Sequence, residues 1–373
     1  VKTSFFKSLA LPLVVLSVIV EAAAAATAPD LLKAKLEAEA KGYAFITNHS
    51  EIVAHANKER KLRVLSSMDA AVVTRMADLY KKRYPFMDVH AEELSGPEAQ
   101  QRFLLELKTG RATNWDIAEA SEDFYNDYPP YLKKFDIFGM AEQGVLAVNP
   151  RMVDPDQRNI VALASTLYAV AYNKNLLSPD KLPATWEDFL KPEFKGRKFA
   201  ADIRPFGMTA LVPAMGEEWV REYAKKIGAQ QPIWVRGQTR VLTAISNGEH
   251  ALSKLAYYHS CMEVAAKNPT GSLVCKVIEP APLRLSNTES VLATAASPYA
   301  ALLWLETAAS PEGQKIIDDY YPLKSSMYGQ GKIAAAVKGL KVSVLDFRGV
   351  PKIRQWMDMV VQAYGFPKAE KGK

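Results

Sequence analysis

The sequence predicts an α/β protein built as two lobes. Two observations carry this expectation. Over residues 60–120, short apolar strand-like runs alternate with segments of 3.6-residue period, and a second alternation begins after residue 168. The stretches 168–173 and 279–295 read as connections between the two units. At 373 residues the chain has room for two to three domains of about 150 residues each.

Taken in order, residues 30–60 look helical, and Leu62–Leu65 is a short strand. Asp69 to Tyr84 follows as a helix, with Val72, Met76, Leu79 and Tyr80 on one face, and Pro85 stops it. Phe86–Ala91 is the second strand. Ser95-Gly96-Pro97-Glu98 opens a helix with capping-box spacing and an early proline. Asp116–Ala118 is the third strand, and 121–165 is irregular. After the apolar run Tyr168–Tyr172, a helix starts at Thr185, Lys198–Ala201 is a strand and Thr209–Ile227 one long helix. The unit continues with helix Thr239–Ser246, strand Ala251–Leu255, helix Tyr257–Lys267 and strand Leu273–Ile278. Two further helices begin at Ser297-Pro298 and Ser310-Pro311. Open α/β units with parallel strands bind ligands beyond the carboxyl ends of those strands, so the site belongs in a cleft between the lobes.

The composition is that of an ordinary globular chain, 49% hydrophobic and 24% charged, which excludes disorder, collagen and coiled coil for the whole. Net charge is +6, with both signs interspersed and no long basic block, so no nucleic-acid partner is expected. Residues 1–26 read as a secretory signal peptide: Lys2 and Lys7, an apolar run over 8–20, then Ala24-Ala25-Ala26. A membrane span needs about 20 apolar residues, and Glu21 ends the run early. Export to an oxidising compartment permits a disulfide between Cys261 and Cys275, two free thiols being the alternative.

Several segments, in this order, resemble the periplasmic solute-binding proteins of ABC importers, in the group often called the ferric-iron type. They are EIVAHANKERKLRVLSSMD, Lys82-Arg83-Tyr84-Pro85, TGRATNWDI at 109–117 and YAVAYNKNLL at 168–177. TWEDFLKPEFKGR ending at 197, NGE at 247–249 and SPEGQKIIDDY at 310–320 complete the series. The resemblance implies a class II periplasmic-binding fold with an interlobe cleft and hinge. It assigns 27–168 and 290–373 to one lobe and 169–289 to the other. It also implies periplasmic location, an inner-membrane ABC permease as partner and a monomer without resident cofactor.

Site candidates sit at strand-to-helix turns. Ser66, Ser67 and Asp69 follow the first strand, where hydroxyls and free N–H groups suit an anion, plain helix capping being the alternative. Arg204 and Thr209 occupy the matching turn of the second lobe, and Arg204 offers a fork for a carboxylate or phosphate. Pairing of Arg204 with Asp202 is the plainer alternative. Glu119 follows the third strand. Tyr257 and Tyr258 form a pair which, by resemblance, supplies two phenolates to Fe³⁺ in ferric-binding members. Here the spacing from NGE is about one residue short and the family's first-turn histidine is missing, the turn reading Ser66-Ser67-Met68-Asp69. The remaining histidines show no HxH or HExxH spacing, and GxSxG, Walker A, GxGxxG and CxxC motifs are missing. The adjacent carboxylates Glu217-Glu218 and Asp318-Asp319 read as solvated helix faces. The expected activity is therefore capture of a small anionic organic solute or oxyanion, with ferric iron as the alternative ligand. An enzyme on the same fold is the competing class.

Overall fold

The computed structural model describes residues 28–268 and 270–366; the signal-peptide expectation over 1–26 lies outside them. The chain opens with α1 (Ala28–Ala40) and α2 (His49–Glu59), the latter capped by Asn48, whose side chain accepts from the Ser50 N–H. β1 (Lys61–Ser66), α3 (Ala70–Arg83), β2 (Asp88–Glu93), α4 (Pro97–Lys108) and β3 (Ile117–Glu119) then form the expected alternation. β1 pairs in parallel with both β2 and β3. α3 buries Val72, Val73, Met76, Ala77 and Tyr80 as one stripe. Two strands start later than expected for identifiable reasons. At β2 a turn keeps Met87 bonded back to the Tyr84 carbonyl. At β3 the Asp116 carboxylate is used as a staple, accepting from the N–H groups of Arg63 and Ser297 at 2.8 Å each.

After short 3₁₀ turns and α5 (Ile137–Glu142), β4 (Val161–Asn173) runs thirteen buried residues. β5 (Ala200–Asp202) follows. The single helix expected over Thr209–Ile227 is instead α6 (Phe206–Thr209), α7 (Val212–Met215) and α8 (Glu217–Ala229). Pro213 withholds a helical donor, and Gly216 at φ +86° turns the chain in a conformation costly for other residues. β6 (Ile233–Val235), α9 (Gln238–Ser246), β7 (Leu252–Tyr257), α10 (Tyr258–Lys267) and β8 (Leu273–Lys276) complete the second unit. Cys261 on α10 and Cys275 on β8 form a disulfide.

Next comes β9 (Ala281–Val291), a buried eleven-residue strand where the sequence suggested only a connection. α11 (Pro298–Ala309), α12 (Pro311–Tyr320), α13 (Lys332–Ala336), β10 (Val342–Leu345) and α14 (Ile353–Tyr364) finish the described chain. Asp318, expected on a solvated face, is 3% exposed, because its carboxylate accepts from the N–H groups of Ser325 and Lys332.

Strand order is β2-β1-β3-β9-β4-β7-β5-β6, with β10 against β9 and β8 against β4. β4 and β9 are antiparallel over Val161–Leu167, after which β4 continues to pair with β7 and β8. These two strands are thus shared by both halves of the sheet. One core packs α2, α3 and α11 around β1 and the start of β4. A second packs Tyr168, Trp186, Phe189, Phe199 and α8 against Trp356 and Val360 of α14. The C-terminal helix therefore lies on the second core. Among the described residues no helix is long and apolar enough to cross a membrane.

Candidate ligand-binding cleft

A cavity of about 220 Å³ opens where β1, β3 and β9 of one half face the β5–α6 turn and the end of β7. The first half contributes Ser67 after β1, Glu119 at the end of β3, and Glu122 and Asp123 in the 3₁₀ turn that follows. β9 contributes Arg284, Ser286 and Asn287, and the loop after α12 contributes Lys324. The opposite wall is Arg204, Phe206, Tyr257 and His259.

Part of this lining is fixed by hydrogen bonds. Gln100 Nε2 donates to Glu119 Oε2 at 2.7 Å, and Ser121 Oγ donates to Gln100 Oε1 at 3.0 Å. Asn287 Nδ2 donates to Ser67 Oγ at 2.9 Å. Asn287 is held at φ +50°, a left-handed conformation that asparagine tolerates better than most residues. The Arg284 guanidinium lies 4.9 Å above the Phe206 ring, joining the two walls. Tyr257 and His259 stack at 5.6 Å.

Six further polar atoms of the lining have no hydrogen-bond partner in the protein. They are Nε and Nη1 of Arg284, Nε of Arg204, Nδ1 of His259, Oε1 of Glu122 and Oδ1 of Asn287, all buried. Arg204 Nε is 3.8 Å from Asp202 Oδ1, an ion-pair distance too long for a hydrogen bond. Buried polar groups are normally satisfied, so a cluster of orphans in one cavity marks a place for a polar guest.

Burial sets the charge states here. It pushes the Glu119 carboxyl well above its ordinary range, with Glu122 adding to the effect. Glu122 is also raised by burial, against the pull of Arg284. Burial lowers Lys324, with the Arg284 cation adding to the effect, and burial holds His259 well below its usual value, with Lys324 and then Arg284 adding to it. Tyr257 is raised by burial despite the opposing Arg284 and Arg204.

Of the residues expected at the site, the cavity brings together Ser67, Glu119, Arg204 and Tyr257. Ser66, Asp69, Thr209 and Tyr258 are not part of its lining. Ser66 Oγ donates inward to Glu289 Oε1 at 2.5 Å. Asp69 is exposed, and its N–H donates to the Tyr321 hydroxyl at 3.1 Å. Thr209 is buried and donates to the Phe206 carbonyl at 2.8 Å. Tyr258 packs against the cluster of Leu283 and Ile333. Among the described residues, no three His, Cys, Asp or Glu side chains converge to hold a metal ion. Sequence reasoning missed Arg284, Asn287 and Lys324. The alternation Leu283, Arg284, Leu285, Ser286 was the available signal, since it places Arg284 and Ser286 on one strand face.

The family model for bacterial extracellular solute-binding proteins matches residues 128–350, over half the chain. The chain belongs to the bacterial extracellular solute-binding protein family. Membership makes it the binding component of an ABC transporter, as the motif series implied. No curated protein sequence matches this solute-binding protein. Among solved structures it is similar to the Bordetella ferric binding protein, with 16% identity and TM-score 0.64 over 83% of this chain and 100% of that one. Iron-bound HitA from Pseudomonas aeruginosa gives 15% and 0.60, over 81% and 99%. The substrate binding protein of the ABC transporter from Agrobacterium tumefaciens gives 18% and 0.57, over 82% and 97%. At these identities the likeness is one of fold, and it is the two-lobed α/β fold that the sequence predicts.

Proposed function

We propose that this solute-binding protein is exported to the periplasm, captures a small organic anion between its lobes, and presents it as a monomer to an inner-membrane permease. The carrying observation is the set of orphaned guanidinium nitrogens on Arg284 and Arg204, which face one cavity without a carboxylate in hydrogen-bond range. Guanidinium groups suit carboxylate and phosphate oxygens. Lys324 adds a third cation. We divide the lobes at β4 and β9, with 28–168 and 290–340 in the first. The second takes 169–289 and also 341–366, because α14 packs against α8. Closure requires that the ligand bind the closed arrangement better than the open one. A site on both walls supplies that difference, since an opened cleft separates Arg204 from Arg284. The chain performs no chemistry on its ligand in this reading.

Ferric iron is the second reading. It is favoured by the structural relatives that are iron-bound or ferric binding proteins and by the Tyr257 phenol in the cleft. A phenol with an ordinary pKa near 10 loses its proton when a metal replaces it. The two readings separate in one experiment on purified protein. Thermal stabilisation by a panel of carboxylates, phosphonates and inorganic oxyanions, with no colour on adding Fe³⁺, supports the anion. A visible phenolate-to-iron band, lost in Tyr257→Phe, together with no anion response, supports iron.

A further inference from the structure

Apart from His259 Nδ1, whose role follows its tautomer, the orphaned atoms of the cleft are of two kinds, and this narrows the ligand class within the anion reading on which the inference rests. Arg284 Nε and Nη1 and Arg204 Nε are donors and call for oxygen acceptors. Glu122 Oε1 and Asn287 Oδ1 are acceptors and call for a donor. A plain carboxylate or sulfate has no donor to give, so on displacing water it leaves both acceptors buried and unpaired, which costs affinity.

The two kinds of group are also close. Glu122 Oε2, on the same carboxylate as the orphaned Oε1, is 3.8 Å from Arg284 Nη1. An oxygen about 2.9 Å from the guanidinium and a donor about 2.9 Å from the carboxylate can then sit on adjacent atoms of one ligand, so a donor on the carbon next to the anionic group meets both. The cavity, at about 220 Å³, lies below the roughly 300–1,000 Å³ of sites for drug-sized ligands, which favours a compact molecule.

We propose that the solute is a small 2-hydroxy or 2-amino acid, its oxyanion held by Arg284 and Arg204 and its hydroxyl or ammonium group donating to Glu122 and Asn287. Glu122 is then a specificity residue: it distinguishes a substituted acid from the bare acid of the same length.

The test compares matched probes on the exported chain by calorimetry and thermal shift at neutral pH: propionate, lactate and alanine, then succinate, malate and aspartate. The expected result is that in at least one series a 2-substituted acid binds tenfold or more tighter than the bare acid. Glu122→Gln, its fold checked by a cooperative unfolding transition without ligand, should reduce that ratio several-fold. Equal affinity within each series, or binding of the bare acids alone, overturns the inference and leaves the anion reading standing. So does failure of all six probes while another anion of the wider panel binds. If no anion of any kind binds, both readings fall. An unchanged ratio in Glu122→Gln overturns the role of Glu122.

Discussion

Arg284 Nη1 stands 3.8 Å from Glu122 Oε2, with the two side chains only 13% and 9% exposed. This is an ion pair without a hydrogen bond, inside the cavity and above the Phe206 ring. Burial costs both charges their hydration, and their attraction at this distance returns only part of it. The pair is held open, with nitrogens left over for a third party. Burial also raises Glu122, so loss of its cation is relieved by taking up a proton.

The first prediction follows from that opening. Arg284→Met keeps the bulk of the side chain over Phe206 but removes every donor. Charge-assisted hydrogen bonds contribute roughly 1.5–3 kcal/mol each, so binding of a cognate anion should weaken by about tenfold or more. Arg284→Lys should recover only part, because a point charge does not reproduce the planar fork. Titration calorimetry with an anion that binds the unsubstituted protein checks both. Undiminished affinity in Arg284→Met would remove Arg284 from the site.

A second prediction concerns Glu289 on β9, buried beneath the cleft. Its carboxyl accepts from Ser66 Oγ at 2.5 Å and from Trp304 Nε1 at 3.1 Å. Burial still outweighs these bonds and lifts it from 4.5 to about 7. The folded state thus holds a proton that the unfolded chain has released, so stability is full below about 4.5 and falls as pH rises to about 7. The loss amounts to roughly 3 kcal/mol. Glu289→Gln, neutral at every pH, should flatten this part of the profile and be the more stable form at pH 8. Denaturant titrations of both proteins from pH 4 to pH 8 measure the difference; parallel curves would contradict it.

Lys254 gives the opposite sign. It is 2% exposed, with Nζ 2.9 Å from Met208 Sδ and 5.0 Å from the centre of the Tyr223 ring, and among the described residues no carboxylate pairs with it. Burial lowers it from 10.5 to about 7. Between those values the unfolded chain binds the extra proton, so stability rises with pH across the window and the penalty is complete below about 7. Lys254→Met fills the same space without the charge. It should gain up to roughly 5 kcal/mol over the native protein at pH 6 and lose that advantage by pH 10. The comparison of midpoints in urea at the two pH values decides it, and a lysine that costs nothing at pH 6 would refute the burial argument.

Much of the first lobe was legible because its signals are local. The stripe of Val72, Met76 and Tyr80, the proline at 97 and the apolar strand around Val64 each announce their element within a few residues. β9 was illegible for a reason that is also physical. Its segment Ser286-Asn287-Thr288-Glu289-Ser290 reads as a polar loop, yet every one of these residues is buried. Except at Asn287 Oδ1, which faces the cleft, their polarity is satisfied by partners distant in sequence: Thr288 Oγ1 donates to the Ala120 carbonyl, Ser290 Oγ to that of Asn159, and Glu289 accepts from Ser66. No window of sequence contains those partners. The site suffered likewise. Ser67, Glu119, Arg204 and Tyr257 lie at turns that the alternation locates, whereas Arg284 and Asn287 ride on the strand that could not be read. Tyr257 and Tyr258 are adjacent in sequence, but β7 ends between them, and only the first faces the cleft.

The last prediction uses the disulfide. Cys261 and Cys275, fourteen positions apart, tie α10 to β8. The first turn of α10 carries His259 and begins beside Tyr257, so the tie holds one wall of the cleft in place. A bridge closing a loop of about 15 residues restricts the unfolded chain by roughly 3 kcal/mol. Thiol titration of denatured, unreduced protein should therefore find no free sulfhydryl. Replacing both cysteines by serine should lower the unfolding midpoint and leave a folded protein, since Cys261 lies in a cluster with Val241, Leu242 and Ile245 that remains packed without it. A ligand should then recover part of the lost midpoint, because binding to the folded state adds stability by mass action. Two free thiols in the native protein, or a double variant as stable as the parent, would show that α10 is held by packing alone.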